Sequence, residues 1–208
     1  MRLFIAADLD EAARAGVAGA LTHLREWSER DRRGSARGVS WVRVGNLHLT
    51  MHFLGDVDAA RLPALERALA PALGVEAPRV GLGGWGVFPP RGEPRVIWAG
   101  VTAGADALVR AHGMLGERLR QGGITPEARP FSPHLTVGRI KVPSGPHWIR
   151  AIAEAPPCPA CEWVLNAYTL YESRLSPGGP EYAVRLRVPC TAARAPAAGT
   201  PSEGERAE

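Results

Sequence analysis

The stretches NLHLTMHFLGD (residues 46–56) and PFSPHLTVGRI (residues 130–140) carry the same four-residue pattern. Each contains His-Leu-Thr followed by an apolar residue, starting at His48 in the first copy and at His134 in the second. β-branched and aromatic residues within both copies are typical of β-strands. The repeat predicts two related halves, each of which contributes one strand to a shared cleft.

Strand geometry predicts which side chains of each copy lie together. Side chains of a strand alternate between its two faces, so His48 and Thr50 share one face while Leu49 points to the other. The same alternation groups His134 with Thr136. Two such strands that face each other present two imidazoles and two hydroxyls to one small volume, with room for a phosphate group.

The remainder of the chain alternates helices with strands. Apolar residues recur at helical spacing in residues 10–27, 59–73 and 105–121. Between them lie β-rich runs, several joined by connections of hairpin length such as SPGGPE at 176–181. This order predicts an α+β fold with mainly antiparallel sheets around the central cleft.

Length and composition define the domain. A chain of 208 residues suits one domain or two small lobes with a common cleft. Residues 191–208 contain no large apolar side chain and cannot offset the entropy of ordering, which predicts a disordered tail. Residues 1–190 are then expected to form a single bilobal domain.

Charge and hydropathy limit the function classes. The net charge of +4 favours an anionic partner. Lys141 is the only lysine, and no phosphate-binding loop of the G-x-x-x-x-G-K-[ST] type occurs, which disfavours a P-loop nucleotidase. The apolar stretch near the N-terminus is short, and no run reaches the ~20 residues of a membrane span. We expect a cytoplasmic protein without membrane contact.

Metal and redox sites are not indicated. The three cysteines, Cys158, Cys161 and Cys190, include one C-x-x-C pair without the second pair that a zinc site needs, so a structural or incidental role is favoured. His48 and His52 are four residues apart, but this spacing suits zinc ligation on a helix, and LTMHF favours a strand.

Two histidines suit acid–base catalysis near neutral pH. Their ordinary pKa of about 6.5 allows one to be protonated while the other is neutral. One then donates a proton to a leaving group while the other accepts one from a nucleophile. Threonine hydroxyls can bind the phosphoryl oxygens, and this chemistry needs neither metal nor cofactor. A single His-Leu-Thr is also compatible with plain strand packing.

The motifs and their surroundings resemble a known family. RLFIAADLD, WVRVGNLHLTMHFLGDVD, RVIWAG, RPFSPHLTVGRI and LYESRLSPGGPEY are each similar to segments of the bacterial RNA 2′,3′-cyclic phosphodiesterases, also called 2′-5′ RNA ligases, of the 2H phosphoesterase superfamily. The resemblance runs in order from Met1 to about Pro189. It implies a bilobal α+β fold with both H-x-T-x motifs in a cleft.

The family implies an activity and residue roles. Its members open the 2′,3′-cyclic phosphate at an RNA end by breaking the bond to the 3′ oxygen, and reversal joins RNA ends by a 2′-5′ linkage without ATP. By resemblance, His48 is the proton donor, His134 is the proton acceptor, and Thr50 and Thr136 bind the phosphate. The implied partners are RNA ends, with tRNA fragments among them, and a monomer without protein partners is expected.

Three further residues are weaker candidates for RNA contact. Arg139 and Arg129 flank the second motif and face either the phosphate or ordinary ion-pair partners. Strand alternation sets Arg139 opposite His134 unless Gly138 introduces a bulge. His52 stands where relatives commonly have lysine. By alternation it shares the face of His48, and we predict that it meets an adjacent RNA phosphate when protonated.

Two other functions remain compatible with the sequence. The first is a phosphodiesterase of the same fold that acts on small nucleotide cyclic phosphates or 2′-5′ oligonucleotides. The second is an RNA-binding module whose histidines perform no chemistry.

Overall fold

The computed structural model describes residues 1–30, 38–127, 129–142 and 147–191. Within these ranges the chain forms nine β-strands and four α-helices. The strands are β1 Arg2–Asp8, β2 Val39–Trp41, β3 His48–Asp56, β4 Arg79–Phe88, β5 Val96–Ala103, β6 His134–Ile140, β7 Cys161–Val164, β8 Ala167–Ser176 and β9 Gly179–Pro189. The helices are α1 Glu11–Arg30, α2 Leu62–Leu69, α3 Ala105–Gln121 and α4 His147–Glu154.

The strands form one antiparallel sheet that divides into two lobes. Its order is β7-β4-β5-β6-β3-β1-β8-β9, with β2 paired to β6. One lobe contains β1, β3, β8 and β9, and the other contains β2, β4, β5, β6 and β7. The lobes meet where β3 pairs with β6. The predicted α+β fold, with mainly antiparallel pairing and one motif strand from each half, is confirmed.

One continuous hydrophobic core lies between the sheet and its helices. The predicted helix over 10–27 is confirmed as α1, whose buried stripe repeats at Ala13, Val17, Leu21 and Leu24. The predicted helix over 105–121 is confirmed with the same bounds as α3. The buried stripes of α1 and α3 pack on one side of the sheet, and the motif side chains lie on the other side.

Helix α2 is shorter than the prediction of 59–73. Regular α-helix ends at Leu69. Ala70 still has helical backbone, but Pro71 has no N–H with which to continue the helical hydrogen bonds. The Arg118 guanidinium on α3 donates hydrogen bonds to the carbonyls of Leu69, Pro71 and Ala72 and so satisfies this helix end.

A β-bulge follows each His-Leu-Thr copy. Across β1 and β3, Ile5 pairs with His52 and Ala6 with Thr50, which leaves Met51 without a partner. Across β5 and β6, Val137 is skipped in the same way. Each extra residue reverses the alternation of the side chains that follow it.

The bulge at Met51 makes the prediction for His52 wrong. His52 lies on the core side of β3, only 5% exposed, and not beside His48 in the cleft. Its Nε2 donates a hydrogen bond to the carbonyl of His112 on α3 at 2.8 Å. The two imidazole rings stack at 3.9 Å, and Phe131 stacks on the far side of His112 at 4.2 Å. His52 therefore joins α3 to the sheet and is not placed to meet a ligand in the cleft.

We expect this ring stack to make stability depend on pH. Burial lowers the pKa of His52, and burial together with His52 lowers the pKa of His112 to about 4. Because the folded state favours neutral rings, their contribution is complete above the ordinary pKa of about 6.5 and is lost as pH falls toward 4.

His112→Phe preserves the stack and removes one titrating group. Urea unfolding at pH 7 and pH 4.5 should show a loss of stability on acidification that is smaller in this variant by roughly 1–2 kcal/mol, since partial exposure of His112 screens the effect. Identical pH dependence in both proteins would contradict this role of the stack.

The described structure extends one residue into the predicted tail. Thr191, the first residue of the predicted tail, donates its backbone N–H to the carbonyl of Val75 and pairs with Glu76. The rest of the predicted tail, 192–208, lies outside the described residues. None of the helices within the described ranges has the length and apolarity to cross a membrane.

Candidate active site

The two motif strands are neighbours in the sheet. β3 and β6 pair through Leu49 and Leu135, both fully buried. The side chains that alternate with these leucines lie on the opposite face: His48, Thr50, His134 and Thr136. With Leu49 opposite Leu135 in an antiparallel register, each histidine is the cross-strand neighbour of the other motif's threonine. The predicted grouping of two imidazoles and two hydroxyls is formed.

Both histidines are oriented by the same backbone contact. Nδ1 of His48 lies 2.7 Å from the carbonyl oxygen of Asn46, and Nδ1 of His134 lies 2.8 Å from that of Ser132. A carbonyl only accepts, so Nδ1 carries the hydrogen and donates it in both cases. Nε2 is then the atom that gains or loses a proton. Nε2 of His48 lies 3.1 Å from Thr50 Oγ1, whose hydroxyl donates to the neutral ring.

Aromatic rings support both imidazoles. The ring-centroid distances are 4.9 Å for Phe4 and 5.5 Å for Tyr182 from His48, and 5.0 Å for Phe88 and 6.4 Å for Trp98 from His134. These contacts limit rotation of the imidazoles and exclude water from one side of each. A fixed Nε2 is what proton transfer in a defined direction requires.

The environment of His48 favours its neutral form. Burial lowers the pKa of His48, while the Asn46 carbonyl and the Asp8 carboxylate raise it. The nearby charges of Arg14 and Arg139 lower the pKa further. The proton on Nε2 is therefore held weakly in the free protein, and an anion bound beside the ring would raise the pKa of His48 again.

Asp8 is the carboxylate next to His48. The two residues are partners in the pairing of β1 with β3, so both side chains lie on the cleft face. The Asp8 carboxylate accepts hydrogen bonds from Thr169 Oγ1 at 2.7 Å and from the Tyr171 hydroxyl at 3.0 Å. These two hydrogen bonds fix the position of the Asp8 carboxylate next to the His48 imidazole.

Asp8→Asn is expected to lower the pKa of His48 further, because the amide removes the charge that stabilises the imidazolium. NMR titration of the His48 ring in both proteins measures the difference. Asp56→Asn, at the far end of β3, provides a matched control and should leave this pKa unchanged. An unchanged His48 pKa in Asp8→Asn would contradict the electrostatic role of Asp8.

A cavity of about 400 Å³ opens beside the motif face. The predicted residues that line it are His48, Thr50, Thr136 and Arg139. His134 is not in its lining but is the cross-strand neighbour of Thr50. The further lining residues are Phe4, Ser40, Trp41, Val42, Arg43, Asn46, Phe53, Lys141, Ser173, Gly178, Gly179, Pro180 and Tyr182.

The two candidate arginines lie in different places. The bulge at Val137 and Gly138 turns Arg139 to the cleft face, where it is exposed and lines the cavity. The sequence left this orientation conditional on a bulge at Gly138. Arg129 is exposed in the segment before β6 and is not among the residues that line the cavity.

Several residues of the site were missed by the sequence reasoning. Phe4 and Asp8 lie on the same face of β1, but residues 3–7 are apolar and buried throughout, so no alternation in the sequence marked that face. Arg43 and Lys141 carried no local signal, since exposed cations are frequent on any surface. They come to the cavity only through the pairing of β2 with β6.

The described residues show no sign of a metal site or of a reactive thiol. Among residues 1–30, 38–127, 129–142 and 147–191, no cluster contains three or more His, Cys, Asp or Glu side chains placed to hold a metal ion. The three cysteines are free thiols. Burial, with the neighbouring Cys161, raises the pKa of Cys158 to about 11, so this thiol is a poor nucleophile.

The fold and the site define a class of protein. A two-lobed antiparallel sheet with one H-x-T strand from each half, both histidines oriented through Nδ1, describes a phosphoesterase of the two-histidine type. The sequence profile described as LigT like Phosphoesterase matches residues 17–98 and again residues 100–182. The chain belongs to this family, and the double match corresponds to its two related halves.

Known proteins of similar sequence and structure agree with this membership. A Thermus thermophilus protein named RNA 2′,3′-cyclic phosphodiesterase is 36% identical over 199 residues, which cover 88% of this chain and 87% of that protein. A crystal structure of a protein from Thermus thermophilus matches with a TM-score of 0.70 and 32% identity, covering 93% of this chain and all of that one. The crystal structure of Escherichia coli LigT complexed with 3′-AMP matches with a TM-score of 0.65 and 26% identity, covering 91% of this chain and 98% of that one.

Proposed function

We propose that the protein hydrolyses RNA 2′,3′-cyclic phosphate ends to 2′-phosphate ends by two-histidine acid–base catalysis. His134 accepts a proton at Nε2 from the attacking water, whose oxygen bonds to phosphorus. The bond from phosphorus to the 3′ oxygen breaks, and His48 donates its Nε2 proton to that oxygen. The products are a 2′-phosphate and a 3′-hydroxyl. With the 5′-hydroxyl of a second RNA in place of water, the same displacement at phosphorus would join RNA ends by a 2′-5′ linkage without ATP, which is the reverse of 2′-5′ cleavage.

The lowered pKa of His48 suits a proton donor once the substrate is bound. The phosphate anion raises this pKa on binding and so favours the protonated, positively charged ring. A donor with a low intrinsic pKa then releases its proton readily to the developing alkoxide. In the opposite direction the two histidines exchange roles.

The remaining groups stabilise the charge on the phosphoryl oxygens. Thr50 and Thr136 donate hydrogen bonds to the non-bridging oxygens, and Arg139 adds positive charge from the same face. Arg129 has no part in this proposal, because it lies away from the cavity lining. We also propose that residues 1–190 act as one catalytic unit.

The observation that carries the proposal is the symmetric placement of the two imidazoles. Each ring donates from Nδ1 to the carbonyl two residues before it and leaves Nε2 available for proton transfer. The names of relatives that cover most of this chain support RNA cyclic phosphates as the substrate.

A short RNA with a 2′,3′-cyclic phosphate end tests the function directly. Mass analysis should show the gain of one water, and phosphatase mapping should place the new phosphate on the 2′ oxygen. Binding without turnover would favour an RNA-binding module. Turnover that is confined to mononucleotides or to 2′-5′ oligonucleotides would favour the small-substrate phosphodiesterase.

Metal removal should leave this activity unchanged. Histidine and threonine groups complete the proposed chemistry, so hydrolysis is expected to proceed at full rate after exhaustive dialysis against EDTA. The rate of the dialysed protein is compared before and after addition of Mg²⁺, Mn²⁺ or Zn²⁺. Activity that disappears on chelation and returns with one of these ions would count against the mechanism.

A further inference from the structure

The lining of the cavity carries more positive charge than a single phosphate requires. Arg43, Arg139 and Lys141 line it, and no carboxylate occurs among the lining residues. Within the described part of the chain, the side chains of these three residues form no ion pair or hydrogen bond with protein groups. Uncompensated cations around one concave space repel each other, so their grouping favours a ligand with more than one negative charge.

The three cations differ in their distance from the reacting centre. Arg139 follows Thr136 on the motif face of β6 and is close enough to His48 to lower its pKa. Lys141 lies two residues further, about 6.5 Å along the chain direction. Consecutive phosphates of an extended single strand have a similar spacing. Arg139 is therefore placed to bind the reacting phosphate, and Lys141 is placed to bind the phosphate one nucleotide away.

Arg43 faces this space from the other side. It lies before the 3-10 turn Val44–Asn46, opposite the hairpin that joins β8 to β9. A Cβ at Gly178 would come within 3.1 Å of an Arg43 guanidinium nitrogen, so this glycine gives the guanidinium room. Asn46 donates from Nδ2 to the Pro180 carbonyl at 2.8 Å and ties the turn to the hairpin. Arg43 is thereby attached to a fixed edge of the cavity.

An aromatic surface accompanies the cations. Phe53 lines the same cavity and is 41% exposed, which is unusual for a large apolar ring. The bulge at Met51 brings it to the cleft face, at the position in β3 that Arg139 occupies in β6. Unpaired bases stack on such rings in single-strand recognition. Aromatic surface next to unpaired cations distinguishes a nucleotide from a simple anion.

We propose that Lys141 and Arg43 form a second anion subsite, which binds the phosphodiester on the 5′ side of the terminal nucleotide, with Phe53 beneath the neighbouring base. This inference rests on the proposed function and specifies its substrate class. The preferred substrates are RNA ends of at least two nucleotides, and mononucleoside cyclic phosphates leave the subsite unused.

Three substrates test the subsite: uridine 2′,3′-cyclic phosphate, a diuridine that ends in the same cyclic phosphate, and this diuridine with a neutral methylphosphonate linkage. The wild-type KM should be on the order of tenfold lower for the charged diuridine than for the other two. Lys141→Gln and Arg43→Gln should each remove most of this advantage and leave kcat for the diuridine unchanged. Lys141→Arg should retain it.

Arg110→Gln is the matched control, because Arg110 is exposed on α3 and does not line this cavity. It should not change the KM of any substrate. The dependence of the logarithm of kcat/KM on the logarithm of salt concentration should become shallower by about 0.7 in Lys141→Gln for the charged diuridine alone.

The single lysine provides a second, independent readout. Acetylation followed by mass analysis reports on Lys141, with the N-terminal amine as internal reference. Diuridine with a 2′-phosphate should protect Lys141, and uridine 2′-phosphate should not. Equal KM values for all three substrates, or an equal loss of kcat/KM on all three substrates in Lys141→Gln, would overturn the subsite and leave the proposed function intact. If no substrate is hydrolysed, the proposed function fails, and the protection experiment still decides whether the subsite exists.

Discussion

Alanine at either motif histidine is expected to lower kcat on a cyclic-phosphate RNA by about 10²–10⁴. Each imidazole is held by its Nδ1 contact, and in the proposed mechanism each transfers a proton at Nε2. His48→Ala should remove the alkaline limb of the bell-shaped dependence of kcat/KM on pH, since the donor must be protonated. His134→Ala should remove the acidic limb, since the acceptor must be neutral.

His23→Ala provides the matched control, because His23 is exposed on α1. It should retain full activity. Thermal unfolding of all three variants shows whether a loss of rate reflects chemistry or a loss of folded protein. Near-full activity in His48→Ala or His134→Ala would refute the two-histidine mechanism, and exchanged limbs of the pH profile would reverse the assignment of donor and acceptor.

Leu49→Ala and Leu135→Ala are each expected to lower the free energy of unfolding by about 2–5 kcal/mol. Both side chains are fully buried, and they pair where β3 meets β6 and the two lobes join. Truncation leaves a cavity directly beneath the histidines and threonines of the two motifs. Urea unfolding at constant m-value measures the loss, and kcat should fall as well if the motif strands shift.

Leu175→Ala is the corresponding control, because Leu175 is 79% exposed near the end of β8. It should change the free energy of unfolding by less than about 0.5 kcal/mol. If Leu135→Ala were no more destabilising than Leu175→Ala, the junction between β3 and β6 would not be the packed contact that unites the lobes.

Much of the fold and the centre of the site were predictable from local patterns. The helical spacing of apolar residues in α1 and α3 identified both helices, and period-two alternation grouped His48 with Thr50 and His134 with Thr136. These signals are local, since they depend only on residues within a few positions of each other. The repeated motif added one long-range expectation, that two strands share a cleft.

Orientation beyond each motif was not predictable in the same way. His52 and Phe53 exchange faces because Met51 forms a bulge, and Arg139 reaches the cavity because Val137 forms another. A bulge depends on how the partner strand pairs, and its register is set by packing of the whole sheet. Simple alternation therefore placed His52 in the cleft, where the structure places Phe53.

By itself, the sequence determined the antiparallel α+β class, the two motif strands and the chemistry that their side chains can perform. Tertiary structure alone decided which residues surround that chemistry. Asp8 beside His48, and Arg43 and Lys141 on the cavity wall, come from strands and turns far apart in the chain. The physical reason is that charge and burial act through space, and distances through space are set only when the sheet closes its register around a common core.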